Sequence, residues 1–217
     1  DEDTGEPLSG AKFEICAKED ILTHAGSVRV PAGSKVSTIV TDEKGEGQSD
    51  SLYLGKYEIR ETEQPSGYVL PEETYEVELE YNGQETELLS AEVKITNKPV
   101  KVSLKKKEEG TENGLKGVKF AVWEKETPEE ETIYVTDKEG RIEIKYLSPG
   151  TYCVQERESI PGYLKDDTVW EFTVDGTGRI KGKESMEYEI ENKKTKIKDT
   201  EAFWKGSGEK EIYAGKE

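Results

Sequence analysis

The chain has 217 residues, 32% apolar and 36% charged, with a formal net charge of −17. That length accommodates two domains of ordinary size, and the composition favours thin ones with much surface. The charge excludes nucleic acid as a natural partner, because phosphates are repelled, and disfavours anionic membrane surfaces.

No apolar run is long enough to span a bilayer, and neither a signal peptide nor a C-terminal sorting signal is read within the chain. In chain order, "DEDTGE" (1–6) has a D-x-D-x-G look; a β-turn is preferred to a calcium loop, and no metal or cofactor is expected. "PLSGAKFEI" (7–15) alternates as a strand, with Ala11, Phe13 and Ile15 inward and Lys12 outward. His24, in the polar-flanked "ILTHAGS", reads as a surface residue. "VTDEKG" (40–45) is a turn signal. "LYLGKYEIRE" (52–61) is a strand that places Tyr57, Ile59 and Glu61 on one face, and "PSGY" (65–68) is a corner. "LPEET" (70–74) has a sortase-like start but lacks the glycine and the apolar tail, so it reads as turn and strand. "YEVEL" (75–79) and "VKITN" (93–97) complete the series.

The series then repeats. "GLKGVKFAV" (114–122), "VTDKEG" (135–140), "LSPGTYCVQE" (147–156), "IPGY" (160–163), "WEFTV" (170–174) and "YEIEN" (188–192) match the six blocks in order. The offset is 107 residues at the first block and 95 from residue 40 onward, so the first copy carries about twelve extra residues within 17–39, as a loop or an extended hairpin. The second copy predicts strands over 102–106, 117–123, 132–135, 141–145, 150–156, 169–174 and 188–192. Short alternating runs between Gly, Pro, Asp and Asn clusters describe an all-β sandwich, twice over. The boundaries expected are 1–98, 99–194, and a linker or the start of a further element over 195–217. Cys16 and Cys153 fall in different copies, so no internal disulfide is expected. Trp123 and Trp170 lie on strands and read as packing residues rather than sugar platforms.

Period-two alternation in the second copy has a chemical consequence. Val102 and Leu104 face inward, and Lys106 with them; Tyr152 and Val154 carry Glu156; Tyr188 and Ile190 carry Asn192. An amine, a carboxyl and a carboxamide thus each end an apolar stripe. Burying any one alone is costly. Burial together is expected to lower the lysine pKa and raise that of the acid, so that the protonated acid hydrogen-bonds the amide oxygen and polarises its carbon, and a neutral amine attacks the Asn192 side-chain carbon with loss of ammonia, Glu156 relaying protons. The competing reading has Lys106 snorkelling, Glu156 in a surface ion pair and Asn192 capping a turn. Glu61 and Asn97 recur at the equivalent places in the first copy and favour the chemical reading.

These blocks resemble the CnaB-type (SpaA-like, prealbumin-like) domains of Gram-positive surface proteins and pilins. The resemblance is carried by "PLSGAKFEI", "TDEKG", "LGKYEIRETEQPSGY" and "KITNKP", then "GLKGVKFAV", "TDKEG", "SPGTYCVQERESIPGY" and "EIENKK", about nine-tenths of the chain. It implies a two-sheet sandwich with an isopeptide bond from a first-strand lysine to a last-strand asparagine, assisted by an acid. Carried over, these are Lys106, Asn192 and Glu156. In the first copy the lysine position, 107 before Lys106, falls outside the sequence, so the expectation is a domain lacking its first strand, with Glu61 and Asn97 left without an amine. The tail 195–217 resembles the opening of Thr–Gln ester-cross-linked repeats, with Thr200 as a candidate ester residue; a linker is the equal alternative, and Trp204 has no assigned role.

The expected function is a structural stalk module of an extracellular, wall-anchored adhesin or pilin, with neighbouring domains of the same protein as partners and no activity on an external substrate. The alternatives are a module that binds host matrix or glycan through its loops, the insertion at 17–39 above all, and an accessory sandwich of an extracellular enzyme.

Overall fold

The computed structural model describes residues 1–80 and 90–195. Among them there is no helix, only strands and turns.

The first copy contributes β1 (Lys12–Ala17), β2 (Ile21–Leu22), β3 (Val28–Val30), β4 (Lys35–Val40), β5 (Gly55–Glu63) and β6 (Thr74–Leu79). Four of them form one antiparallel sheet in the order β4-β1-β5-β6. Alternation seats the sheet as expected: Ala11, Phe13, Ile15 and Ala17 are buried on one face, and the Lys12 amine meets Glu63 at 2.7 Å on the exposed one. The insertion is a hairpin, with β2 paired to β3. Its Ile21 is buried in a cluster with Ile15, Ala17 and Tyr57.

The second copy contributes β7 (Lys101–Glu108), β8 (Lys119–Glu124), β9 (Thr132–Val135), β10 (Arg141–Lys145), β11 (Gly150–Glu158), β12 (Val169–Val174) and β13 (Ser185–Asn192). These make two sheets, β10-β7-β13 and β12-β11-β8-β9. Val102, Leu104, Phe120, Val122, Ile142, Ile144, Val154, Phe172 and Ile190 are all buried.

The repeated motifs fold alike. Asp42 Oδ1 accepts from the amides of Lys44 and Glu46, and Asp137 Oδ1 from those of Glu139 and Arg141, which closes the two TD turns. Thr41 and Thr136 each bond the backbone on either side of the GAKF or GVKF approach: Thr41 with Leu8 and Ala11, Thr136 with Leu115 and Val118. Tyr57 and Tyr152 donate their hydroxyls to the carbonyls four residues upstream, those of Tyr53 and Ser148.

One predicted strand fails. Residues 93–97 form no strand, and neither do 46–50, the counterparts of β13 and β10. In the second copy the strand between those two is β7, and it supplies hydrogen bonds to both. Among the described residues of the first copy no strand stands between these two segments, so neither has the ladder that would order it as a strand. The DEDTGE stretch is a turn: Asp1 Oδ1 accepts from the amides of Asp3 and Thr4. Thr200, Trp204 and the tail beyond residue 195 lie outside the described residues.

Candidate functional site

Three elements converge in the second copy. β7 brings Lys106 and β11 brings Glu156, both with no solvent exposure, and the last residue of β13 is Asn192, at 2%. The Lys106 Nζ lies 2.9 Å from Glu156 Oε2. The Asn192 Nδ2 donates to Glu156 Oε1 at 2.8 Å and to Ser159 Oγ at 3.0 Å. The carboxyl therefore bridges two nitrogens, one at each oxygen. Alternation predicted that these side chains share a face. The expected hydrogen bond from the acid to the amide oxygen is not formed: the amide turns its nitrogen toward the carboxyl, donating to Oε1 and to Ser159.

The backbone at Lys106 is held by the motifs around it. Its N–H donates to the Gly140 carbonyl at 2.7 Å, and its own carbonyl accepts from Leu115 N–H at 2.8 Å. Gly140 has φ 78°, and a Cβ there would stand 2.2 Å from the Lys106 oxygen. The glycine of TDKEG is thus needed both for its turn and for close approach to the strand that carries the amine.

Neighbouring lysines on β7 fare oppositely. Burial drives the Lys106 pKa down, against the opposing pull of Glu156 and Asp166, and the amine sits 5.6 Å from the Phe120 ring centre. Lys107 is on the other face, bonded to Glu189 and Glu112, and these carboxylates push its pKa up. Only Lys106 is biased toward the neutral form, the one that acts as a nucleophile.

The first copy holds the same carboxyl and carboxamide. Glu61 and Asn97 are 6% and 3% exposed, and Asn97 Nδ2 donates to both Glu61 oxygens, at 2.8 and 2.9 Å. Burial raises the Glu61 pKa to about 7, against the opposing effect of the Asn97 hydrogen bond. Two contacts fix the equivalence. Tyr163 donates to Glu108 at 3.1 Å and Tyr68 to Asp1 at 3.0 Å, while the amide N–H of Glu109 bonds the Asn192 carbonyl and that of Glu2 bonds the Asn97 carbonyl, both at 3.0 Å. Asp1 thus occupies the place of Glu108, and the Lys106 place lies two residues before it.

Sequence reasoning missed Ser159, Asp166 and the aromatic neighbour role of Phe120. A hydroxyl three residues past the acid, in "ERES", was the available signal for the first. Among the described residues no cluster of His, Cys, Asp and Glu is arranged to hold a metal.

The sequence model of the SpaA prealbumin-like fold domain matches residues 1–97 and again 100–194. No curated protein matches the chain. Among solved structures the chain is similar to the Bacillus anthracis TIE protein (22% identity, TM-score 0.42), covering 88% of this chain but 32% of that one. It is also similar to GBS52, the minor pilin of Streptococcus agalactiae (19%, TM-score 0.37, 91% and 88% covered). A third is the shaft pilin SpaA of Lactobacillus rhamnosus GG (16%, TM-score 0.37, 90% and 91% covered).

Proposed function

We propose, since the chain belongs to the SpaA family of prealbumin-like fold domains, that it is a structural module of a Gram-positive cell-surface protein, an adhesin stalk or pilus subunit, and that its second sandwich joins Lys106 to Asn192 by an amide bond. The observation that carries the joining reaction is the fully buried carboxyl of Glu156, with the amine on one oxygen and the carboxamide on the other.

The steps follow from that placement. The neutral Lys106 amine attacks the Asn192 Cγ. Glu156 Oε2 takes the proton that the attacking nitrogen sheds, and a proton passes from Oε1 to the departing nitrogen. One C–N bond forms, one breaks, and ammonia leaves. Glu156 ends as it began, so its role is that of a proton relay.

Glu61 and Asn97 repeat the acid and carboxamide of this arrangement, and among the described residues no amine meets them. The proposed boundaries are 1–98 and 99–194, with 195–217 a linker or the start of a further element. Neighbouring domains of the same protein are the expected partners, and no external substrate is assigned. An amide across 86 residues contributes about 4.5 kcal/mol by restricting the unfolded chain, and unlike a disulfide it is not reducible.

Intact mass under denaturing conditions tests this reading. The native chain is expected to be lighter by one ammonia, and Lys106→Ala or Glu156→Ala to keep its full mass. A native chain of full mass refutes the joining reaction.

A second reading, that loops bind host matrix or glycan, is supported by the insertion hairpin. Leu22 and Val28 are exposed on it, and Arg29 stacks on exposed Tyr53 at 4.5 Å. Collagen and glycan arrays with and without Tyr53→Ala separate the two.

A further inference from the structure

Both copies bury a glutamate against an asparagine amide, yet they wire it differently. In the first copy one amide nitrogen takes both oxygens of Glu61. In the second, the Asn192 nitrogen gives one hydrogen to Glu156 Oε1 and the other to Ser159 Oγ. The Oε2 atom is thereby free of the amide and faces Lys106. At the offset of 95 residues the place of Ser159 is held by Gln64, which makes no contact with Asn97 among the described hydrogen bonds.

The two N–H bonds of one amide diverge too widely to reach both oxygens of one carboxylate, so in the first copy a single N–H is shared between Oε1 and Oε2 of Glu61. Shared in that way, neither oxygen is reserved for an incoming amine. A hydroxyl on the other N–H fixes the plane of the amide, so that the first N–H meets one oxygen only. It also leaves the proton route open from the attacking nitrogen through Oε2 and Oε1 to the departing one. Ser159 is well placed for this, because it lies just past the end of β11, three residues after Glu156, at a position whose backbone leads into the turn closed by Tyr163 N–H on the Ile160 carbonyl.

We infer that Ser159 is a positioning residue for the Lys106–Asn192 joining reaction, holding the second N–H of the Asn192 carboxamide so that Glu156 serves amide and amine with separate oxygens. The inference rests on the joining reaction proposed above. Ser159 is half-buried where the other three are buried.

The test is a time course. The full chain is made by cell-free synthesis, quenched in denaturant at intervals, and its mass deficit followed. Ser159→Ala is expected to slow the loss of ammonia on the order of tenfold, about what one hydrogen bond contributes, and Ser159→Thr to restore it. In a Lys106→Ala background, where no joining occurs, Ser159→Ala is expected to leave the unfolding midpoint unchanged, so that slowed joining is not slowed folding. Joining by Ser159→Ala at the native rate overturns the inference while leaving the reaction intact. A slow Ser159→Ala whose Lys106→Ala counterpart is equally destabilised, and which Thr does not rescue, overturns it in favour of a packing role. A native chain that never loses ammonia overturns both.

Discussion

The two sandwiches bury the same acid and carboxamide in different company, and they separate what a buried acid needs from what the proposed reaction needs. Glu156 meets an amine and a carboxamide whose second N–H goes to a hydroxyl; among the described residues, Glu61 is hydrogen-bonded by its carboxamide and meets no amine. Both acids stay buried. Burial is therefore set by the apolar stripe of the carrying strand and by an amide that meets the carboxyl, not by the amine. The amine adds the chemistry, and it arrives on the strand whose presence also decides whether the β10-β7-β13 sheet forms.

The largest expected effect tests the amine. Lys106→Ala takes the amine from Glu156 and, on the proposed reaction, the cross-link with it. It should abolish the mass deficit and lower the unfolding free energy of the second sandwich by about 4.5 kcal/mol or more, measured by guanidinium unfolding. Next comes the glycine that admits the amine-bearing strand. Gly140→Ala sets a methyl 2.2 Å from the Lys106 oxygen at positive φ, so a loss of about 1–3 kcal/mol is expected, with slower joining in the same time course. Gly110→Ala, also at positive φ but in open space, is the control for backbone strain alone.

The acid without an amine gives a pH signature. The folded-state pKa of Glu61, about 7, lies above its ordinary 4.5, so the folded state holds a proton that the unfolded state releases first. Its unfavourable contribution is absent below about 4.5, grows as pH rises, and is complete above about 7. Urea unfolding of the first sandwich should weaken over that window, and Glu61→Gln should flatten the slope. A slope of the opposite sign at Glu61 would show a carboxylate stabilised by its surroundings. The smallest effect belongs to Lys12. Its ion pair with Glu63 lies on the exposed face, so Lys12→Ala should shift stability by less than about 1 kcal/mol and leave the Glu61 pH dependence unchanged.

Much of this was legible in the sequence. The repeat exposed two copies of one fold, and a period of two put Lys106, Glu156 and Asn192 on the inner face, because side-chain direction in a strand depends only on parity. What parity does not carry is rotation about a side chain. Whether Asn192 offers oxygen or nitrogen to the acid, and whether Ser159 shares in holding it, depends on atoms from three separate segments. The strand expected over 93–97 was misread for a related reason. Its pattern matches β13, but a strand needs a neighbour to bond, and alternation says nothing about whether that neighbour is there.

The insertion hairpin illustrates how an addition becomes permanent. Ile21 sits beside Gly55, where even a methyl would come within 3.1 Å of it, and it fills a space between Ile15 and Tyr57. Trimming the first copy to the length of the second would remove that plug and open a void of the kind that costs about 2–5 kcal/mol. The hairpin is thus part of the core it was added to, and its removal would be felt there.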